Sequence, residues 1–152
     1  MEVCVLASGS KGNCIYVSGG GTSLLVDAGL SAREIVARLR VAGITPESIQ
    51  AVLFTHDHID HYRGIEVFSR KYPVRLFANE GTAAGIEISY PNMTCAWEIF
   101  ETSSTFEIGG LRIEAFTVPH DAADPVGFVF DDGVSRLCVA TDLGQATPLI
   151  CS

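Results

Sequence analysis

Three imidazoles and two carboxylates stand in the six residues His56, Asp57, His58, Ile59, Asp60 and His61, directly after the apolar run AVLFT at 51–55. The chain has four histidines in all, so three of them fall in this one segment. A single histidine is an ordinary surface or core residue. This many titratable groups on one short loop are costly to crowd together unless a cation holds them. Imidazole together with carboxylate suits zinc, manganese or iron. In extended backbone, alternate side chains project the same way, so His56 and His58 can converge on one ion while Asp60 and His61 turn to a neighbouring position. Two divalent ions need about seven or eight ligands, waters included. The segment supplies four, and the rest have to come from elsewhere in the chain.

Two later residues are placed for that role. His120, the last histidine, follows the β-rich run at 111–118, and Asp142 follows the apolar run at 137–140. Polar residues at the ends of buried strands are where sites are commonly assembled. Each has a plain alternative: His120 as a turn residue, Asp142 as the N-cap of a helix starting at Leu143. Asp27, closing the run LLV at 24–26, has the same placement and could orient a ligand imidazole through a hydrogen bond. The segment SGSKGN at 8–13 sets glycines between two strand-like runs. Its backbone N–H groups and the Lys11 charge could meet an anion, which makes Ser8, Ser10, Lys11 and Asn13 candidate substrate contacts, with a plain hairpin as the alternative. Arg63 reads as a solvated helix residue or a phosphate contact. Asp57 is expected to point away from the ions and to hydrogen-bond locally.

The run His56-x-His58-x-Asp60-His61 resembles the signature of the metallo-β-lactamase-fold hydrolases. Asp27 in LLVDAG looks like that family's first motif, and His120 and Asp142 fall in order at its third and fourth. Within the family, LASGSKGN at 6–13 and HDAADPVG at 120–127 resemble the YycJ type, also called WalJ or VicX. The likeness covers essentially the whole chain. It implies an α/β fold, the αββα sandwich. It also assigns His56, His58 and His120 to one metal and Asp60 and His61 to a second, with Asp142 bridging the two. Asp60 and Asp142 then count as catalytic as well as metal-binding. Two divalent ions follow (zinc, manganese or iron), with a metal-bridging hydroxide as nucleophile toward a phosphodiester. Relatives of this type are cytoplasmic and implicated as DNA exonucleases or phosphodiesterases. In complete members the pattern continues to another helix, strand and a final histidine. Here ten residues follow Asp142 and none is histidine. The chain is therefore expected to be the N-terminal portion of such a domain, its second half incomplete. Its exposed strand faces could be covered by a second copy in a homodimer.

Those residues need elements to carry them. Short β-rich runs at 3–7, 14–17 and 23–26, separated by glycine clusters, predict a strand meander. Ser31 followed by Glu34 forms a capping box, Ile35, Val36, Leu39 and Ala42 keep helical spacing, and Gly43 is the stop. Pro46 is expected to open a short helical turn. The run at 51–55 predicts a central strand covered on both faces. After it come a helix within 62–72, a strand at 74–78 and a helix at 80–88. Strands are then predicted at 99–101, 105–108, 111–118, 126–130 and 137–141, with Gly109-Gly110 and Asp132-Gly133 as hairpin turns.

The 152 residues suggest one domain, and 47% hydrophobic content rules out a disordered chain. The sequence holds no apolar stretch long enough to predict a membrane-spanning helix, and the N-terminus does not read as a signal peptide. Five cysteines with no C-x-x-C pair predict no disulfide framework and a reducing compartment. A net charge of −8 argues against a strongly basic nucleic-acid grip, although part of the acidic excess is accounted for if carboxylates ligate cations. The leading expectation is a metal-dependent phosphodiesterase or DNA exonuclease. The alternatives are a thioester, lactone or β-lactam hydrolase on the same fold, or a catalytically incomplete metal-binding module.

Overall fold

The computed structural model describes residues 1–93, 96–118, 125–142 and 145–151, of which 141, 142 and 145–151 are given by backbone alone. A first sheet has six strands in sequential order: β1 (Glu2–Ala7), β2 (Cys14–Gly19), β3 (Thr22–Val26), β4 (Ala51–Leu53), β5 (Arg75–Ala78) and β6 (Trp97–Ile99). The β1–β2–β3 meander is antiparallel, and β3 to β6 run parallel. The parallel part requires crossovers, and the helices supply them. They are α1 (Ala32–Val41), α2 (Ile59–Tyr62), α3 (Ile65–Lys71) and α4 (Glu80–Ser89). A second, antiparallel sheet holds β7 (Thr105–Ile108), β8 (Leu111–Thr117), β9 (Val126–Asp131), β10 (Arg136–Asp142) and β11 (Gln145–Cys151).

Strand pleating divides the core in two. Leu25, Val52 and Leu76 join Ile35 and Leu39 of α1, Ile65 and Phe68 of α3, and Ile86 of α4 in one buried cluster. Their neighbours Leu24, Val26, Ala51, Leu53 and Phe77 belong to the other, with Ile113, Phe128, Phe130, Leu137 and Val139 of the second sheet. The central strands are thus buried on both faces, which explains why 51–55 is almost wholly apolar. The layers run helix, sheet, sheet. Every helix among the described residues precedes β6, so these residues provide no helical layer outside the second sheet. That is the αββα sandwich with its second half incomplete.

Local signals act as read. Ser31 Oγ accepts the Glu34 N–H at 3.2 Å, Gly43 takes a left-handed φ of 77° just past α1, and residues 46–48 make a 3-10 turn. Three elements differ from expectation. Asp60 and His61 lie on the helical turn α2, not on extended chain. β6 ends at Ile99 where 99–101 was the expected strand. Its register is set by pairing Leu76, Phe77 and Ala78 with Trp97, Glu98 and Ile99, with a bidentate Arg75–Glu98 ion pair at 2.7 Å and Trp97 edge-on to Phe54. After β10 the backbone returns as β11, with Asp142 opposite Gln145, so Asp142 caps no helix. Pro148 argues against a strand there, but β11 is a sheet edge, where a missing N–H is tolerated.

Candidate metal centre

The donors gather where parallel strands end. β3 and β4 are neighbours in register, Leu25 opposite Val52 and Val26 opposite Leu53, so the residues that follow both strands leave the same edge of the sheet. That edge is where α/β sheets place their sites. Asp27 follows β3, donates its N–H to Leu53 O at 2.7 Å and holds a left-handed φ of 65°, a conformation a non-glycine residue adopts at some cost. Its buried carboxylate accepts three bonds. Thr55 N–H gives to Oδ1 at 2.9 Å, Thr55 Oγ1 to Oδ2 at 2.7 Å, and His61 Nδ1 to Oδ2 at 2.7 Å.

These bonds decide the tautomers. A carboxylate only accepts, so His61 Nδ1 carries the proton and Nε2 the lone pair. Thr55 Oγ1 has one proton and gives it to Asp27. At 2.8 Å from His56 Nδ1 it therefore accepts from that ring, which makes Nε2 the lone-pair nitrogen of His56 too. Burial alone would disfavour the His61 imidazolium. The Asp27 charge and hydrogen bond, with Asp60 behind them, outweigh it and hold His61 above the usual histidine value.

The rings lie together. His56 and His61 have centroids 3.7 Å apart, and His58 stands edge-on to His56 at 4.9 Å. Asp60 Oδ2 is 3.5 Å from His61 Nε2. His56 and His61 are buried, while His58 and Asp60 are half-buried at the mouth. Two imidazoles held by Nδ1, with the Asp60 carboxylate beside His61 Nε2, are a donor set that suits a divalent cation. Among the described residues, no group of three or more His, Cys, Asp or Glu side chains is placed to hold a metal ion. The sets assigned above also draw on His120, which lies outside the described residues, and on Asp142, described by backbone alone.

Backbone packing holds the site. Asn13 N–H donates to Asp60 O (2.8 Å), Gly29 N–H to Asn13 O (2.9 Å), Ala28 N–H to His61 O (2.8 Å) and Gly64 N–H to Ala28 O (2.9 Å). The chain after Asp27 is thus a strut between the β1–β2 loop and the turn that carries Asp60 and His61. A Cβ on Gly29 would collide with Asp60 O, so only glycine permits the approach. Of the four loop candidates, Ser8, Ser10 and Lys11 are exposed, whereas Asn13 is buried and turned to Asp60 and His61. The Asp57 carboxylate packs against Gly85 of α4. Thr55 and Gly29 escape a reading by residue type. The only hint of Thr55 is a lone hydroxyl between an apolar strand and the first histidine.

Residues 22–151 match the family described as a beta-lactamase superfamily domain. The chain belongs to the beta-lactamase superfamily. Among superfamily members it is 38% identical over 148 residues to the exodeoxyribonuclease YycJ of Bacillus anthracis, covering 97% of this chain and 56% of that protein. It is 40% identical over 146 residues to the exodeoxyribonuclease WalJ of Streptococcus pneumoniae, covering 94% and 54%. The chain thus spans about half the length of these curated relatives. The metallo-beta-lactamase fold protein YhfI of Bacillus subtilis superposes with a TM-score of 0.74 at 16% identity, over 92% of this chain and 63% of that one, which establishes the fold. Among the described residues, no helix is long and apolar enough to cross a membrane.

Proposed function

We propose that this chain carries the metal-binding part of a phosphodiester hydrolase of the exodeoxyribonuclease kind. One observation carries the reading: Asp27 holds the buried His61 by Nδ1, which leaves its Nε2 3.5 Å from the Asp60 carboxylate, while Thr55 holds the buried His56 by Nδ1. The names of the curated relatives support DNA as substrate. His56, His58 and His120 would hold one divalent ion, Asp60 and His61 a second, and Asp142 would bridge them, with zinc, manganese or iron all suited to these donors. Such ions supply a water that deprotonates near neutral pH and positive charge for the phosphoryl oxygens.

The chain's own residues do the rest. Asp27 and Thr55 orient the rings through Nδ1, and burial of His56 and His61 shields the inner side from bulk water. The exposed loop through Ser8, Ser10 and Lys11 offers a cation and backbone N–H groups to a phosphate outside the site. The reading includes a cytoplasmic protein and a homodimer. With manganese or zinc present, turnover of bis-p-nitrophenyl phosphate and of end-labelled DNA is expected, and Asp60→Ala or His61→Ala should reduce it to background. Full activity in either variant would overturn the reading.

A further inference from the structure

The glycine loop puts Asn13 in sequence with three candidate substrate contacts, but the structure separates it from them. Asn13 is 1% exposed, while Ser8, Ser10 and Lys11 lie in the open. Its backbone is pinned on both sides, N–H to Asp60 O and C=O from Gly29 N–H. Its side-chain Oδ1 accepts the Gly9 N–H at 3.2 Å. On the other side Nδ2 faces four acceptors: Gly9 O at 2.9 Å, Asp60 Oδ2 at 3.1 Å, Asp60 O at 3.3 Å and His61 Nε2 at 3.3 Å. A flipped amide would set its oxygen against all four, so the neighbours decide the orientation.

The proton count is what makes this arrangement informative. An amide NH₂ has two protons, and here four acceptors compete for them. Two are main-chain oxygens that already accept backbone N–H groups, Gly9 O from Gly12 and Asp60 O from Asn13 itself. The other two, Asp60 Oδ2 and His61 Nε2, are side-chain donors to metals. The surplus of lone pairs therefore sits where a cation would be held. The amide itself is fixed by a backbone that cannot follow the carboxylate away.

We propose that Asn13 is a positioning residue for a divalent cation held by Asp60 and His61. Its amide steadies the Asp60 carboxylate, yields the His61 Nε2 lone pair when the cation arrives, and then bonds to Gly9 O and Asp60. Cation binding and the order of the loop at residues 8–12 are thereby linked. This rests on the metal-site reading above.

The test is calorimetric titration of the whole chain with Mn²⁺, with Asp60→Asn marking which binding step belongs to Asp60 and His61. Asn13→Ala should weaken that step about 10–100-fold. Asn13→Leu, which fills nearly the same space without a donor, should do likewise and guards against a collapsed cavity. Arg40→Ala, at an exposed position on α1, should leave the step unchanged. Hydrogen exchange adds a readout free of activity: Mn²⁺ should slow exchange at Gly9 and Gly12 in the parent chain but not in Asn13→Ala. Parent-like affinity and loop protection in folded Asn13→Ala or Asn13→Leu overturn this role and leave the metal site standing. A parent chain that takes up no Mn²⁺, Zn²⁺ or Fe²⁺ overturns both.

Discussion

Asp27 Oδ2 and His61 Nδ1 lie 2.7 Å apart, both buried, and this contact places a ring proton on Nδ1. In Asp27→Asn the amide oxygen is expected at the Oδ1 place, where Thr55 N–H needs an acceptor. The NH₂ then faces His61 Nδ1, which must become an acceptor, and the ring proton moves to Nε2. Cation affinity should fall about 10–100-fold, and stability by about 2 kcal/mol as a charge-assisted bond is lost. Nitrogen-resolved NMR of the His61 ring checks the tautomer directly. An unchanged tautomer with unchanged affinity would show that Asp27 has no such control.

Thr55→Val removes one oxygen and keeps the shape. The change deprives Asp27 of one of its three donors and His56 Nδ1 of its acceptor. A loss of about 1–3 kcal/mol is expected, read as a lower urea midpoint at constant slope. Thr55→Ser should restore most of it. If valine and serine behave alike, the hydroxyl plays no part.

What could be read from residue types was the donor cluster and the strand ends that present it. His56, His58, Asp60 and His61 stand out because histidine is scarce and the preceding run is apolar. The helix at Ser31 was legible because capping and stop residues act locally. The rest depends on which strands become neighbours. Thr55 matters only because β3 and β4 pair in register and bring it to Asp27. Asn13 reaches Asp60 and His61 only because Gly29 lets two backbones touch. The register of β6 is set by a cross-strand ion pair 23 residues apart in sequence, and β11 by an edge position that accommodates Pro148. Composition and spacing carry no trace of such pairings.

Gly29→Ala tests that strut. The atom its Cβ would strike is the Asp60 carbonyl oxygen, part of the backbone, which cannot rotate away. Overpacking of this kind is expected to destabilise the chain by about 1–3 kcal/mol. Displacement of Asp60 should weaken cation binding as well. A thermal melt and a Mn²⁺ titration on the same sample measure both, and a fully tolerated alanine would show that the three loops are not locked together.

Cys14 follows Asn13 and is fully buried. Burial, reinforced by the nearby Asp27 charge, pushes its thiol well above the ordinary range, and the thiolate is the reactive form. Iodoacetamide at pH 8 should leave Cys14 unmodified in the native chain and alkylate it after unfolding, with peptide mass spectrometry locating the label. Rapid native labelling would mean that β2, which begins at Cys14, opens readily, against the complete burial of that residue.

Cation binding should also appear as stability. A ligand that binds only the native state contributes RT ln(1 + [L]/Kd), or about 2.7 kcal/mol at a hundredfold excess over Kd. For a chain of this size that corresponds to a rise in Tm of about 5–10 °C. Zinc, manganese and ferrous iron, each added to chelator-treated protein, are expected to produce such a rise to different extents and so to rank the metals. EDTA should reverse it. In His61→Ala the rise should shrink while the metal-free Tm shifts separately, because the lost Asp27 contact is already counted there. If saturating amounts of all three ions leave the Tm of the parent chain where it was, the imidazole–carboxylate cluster is a structural network and not a cation site.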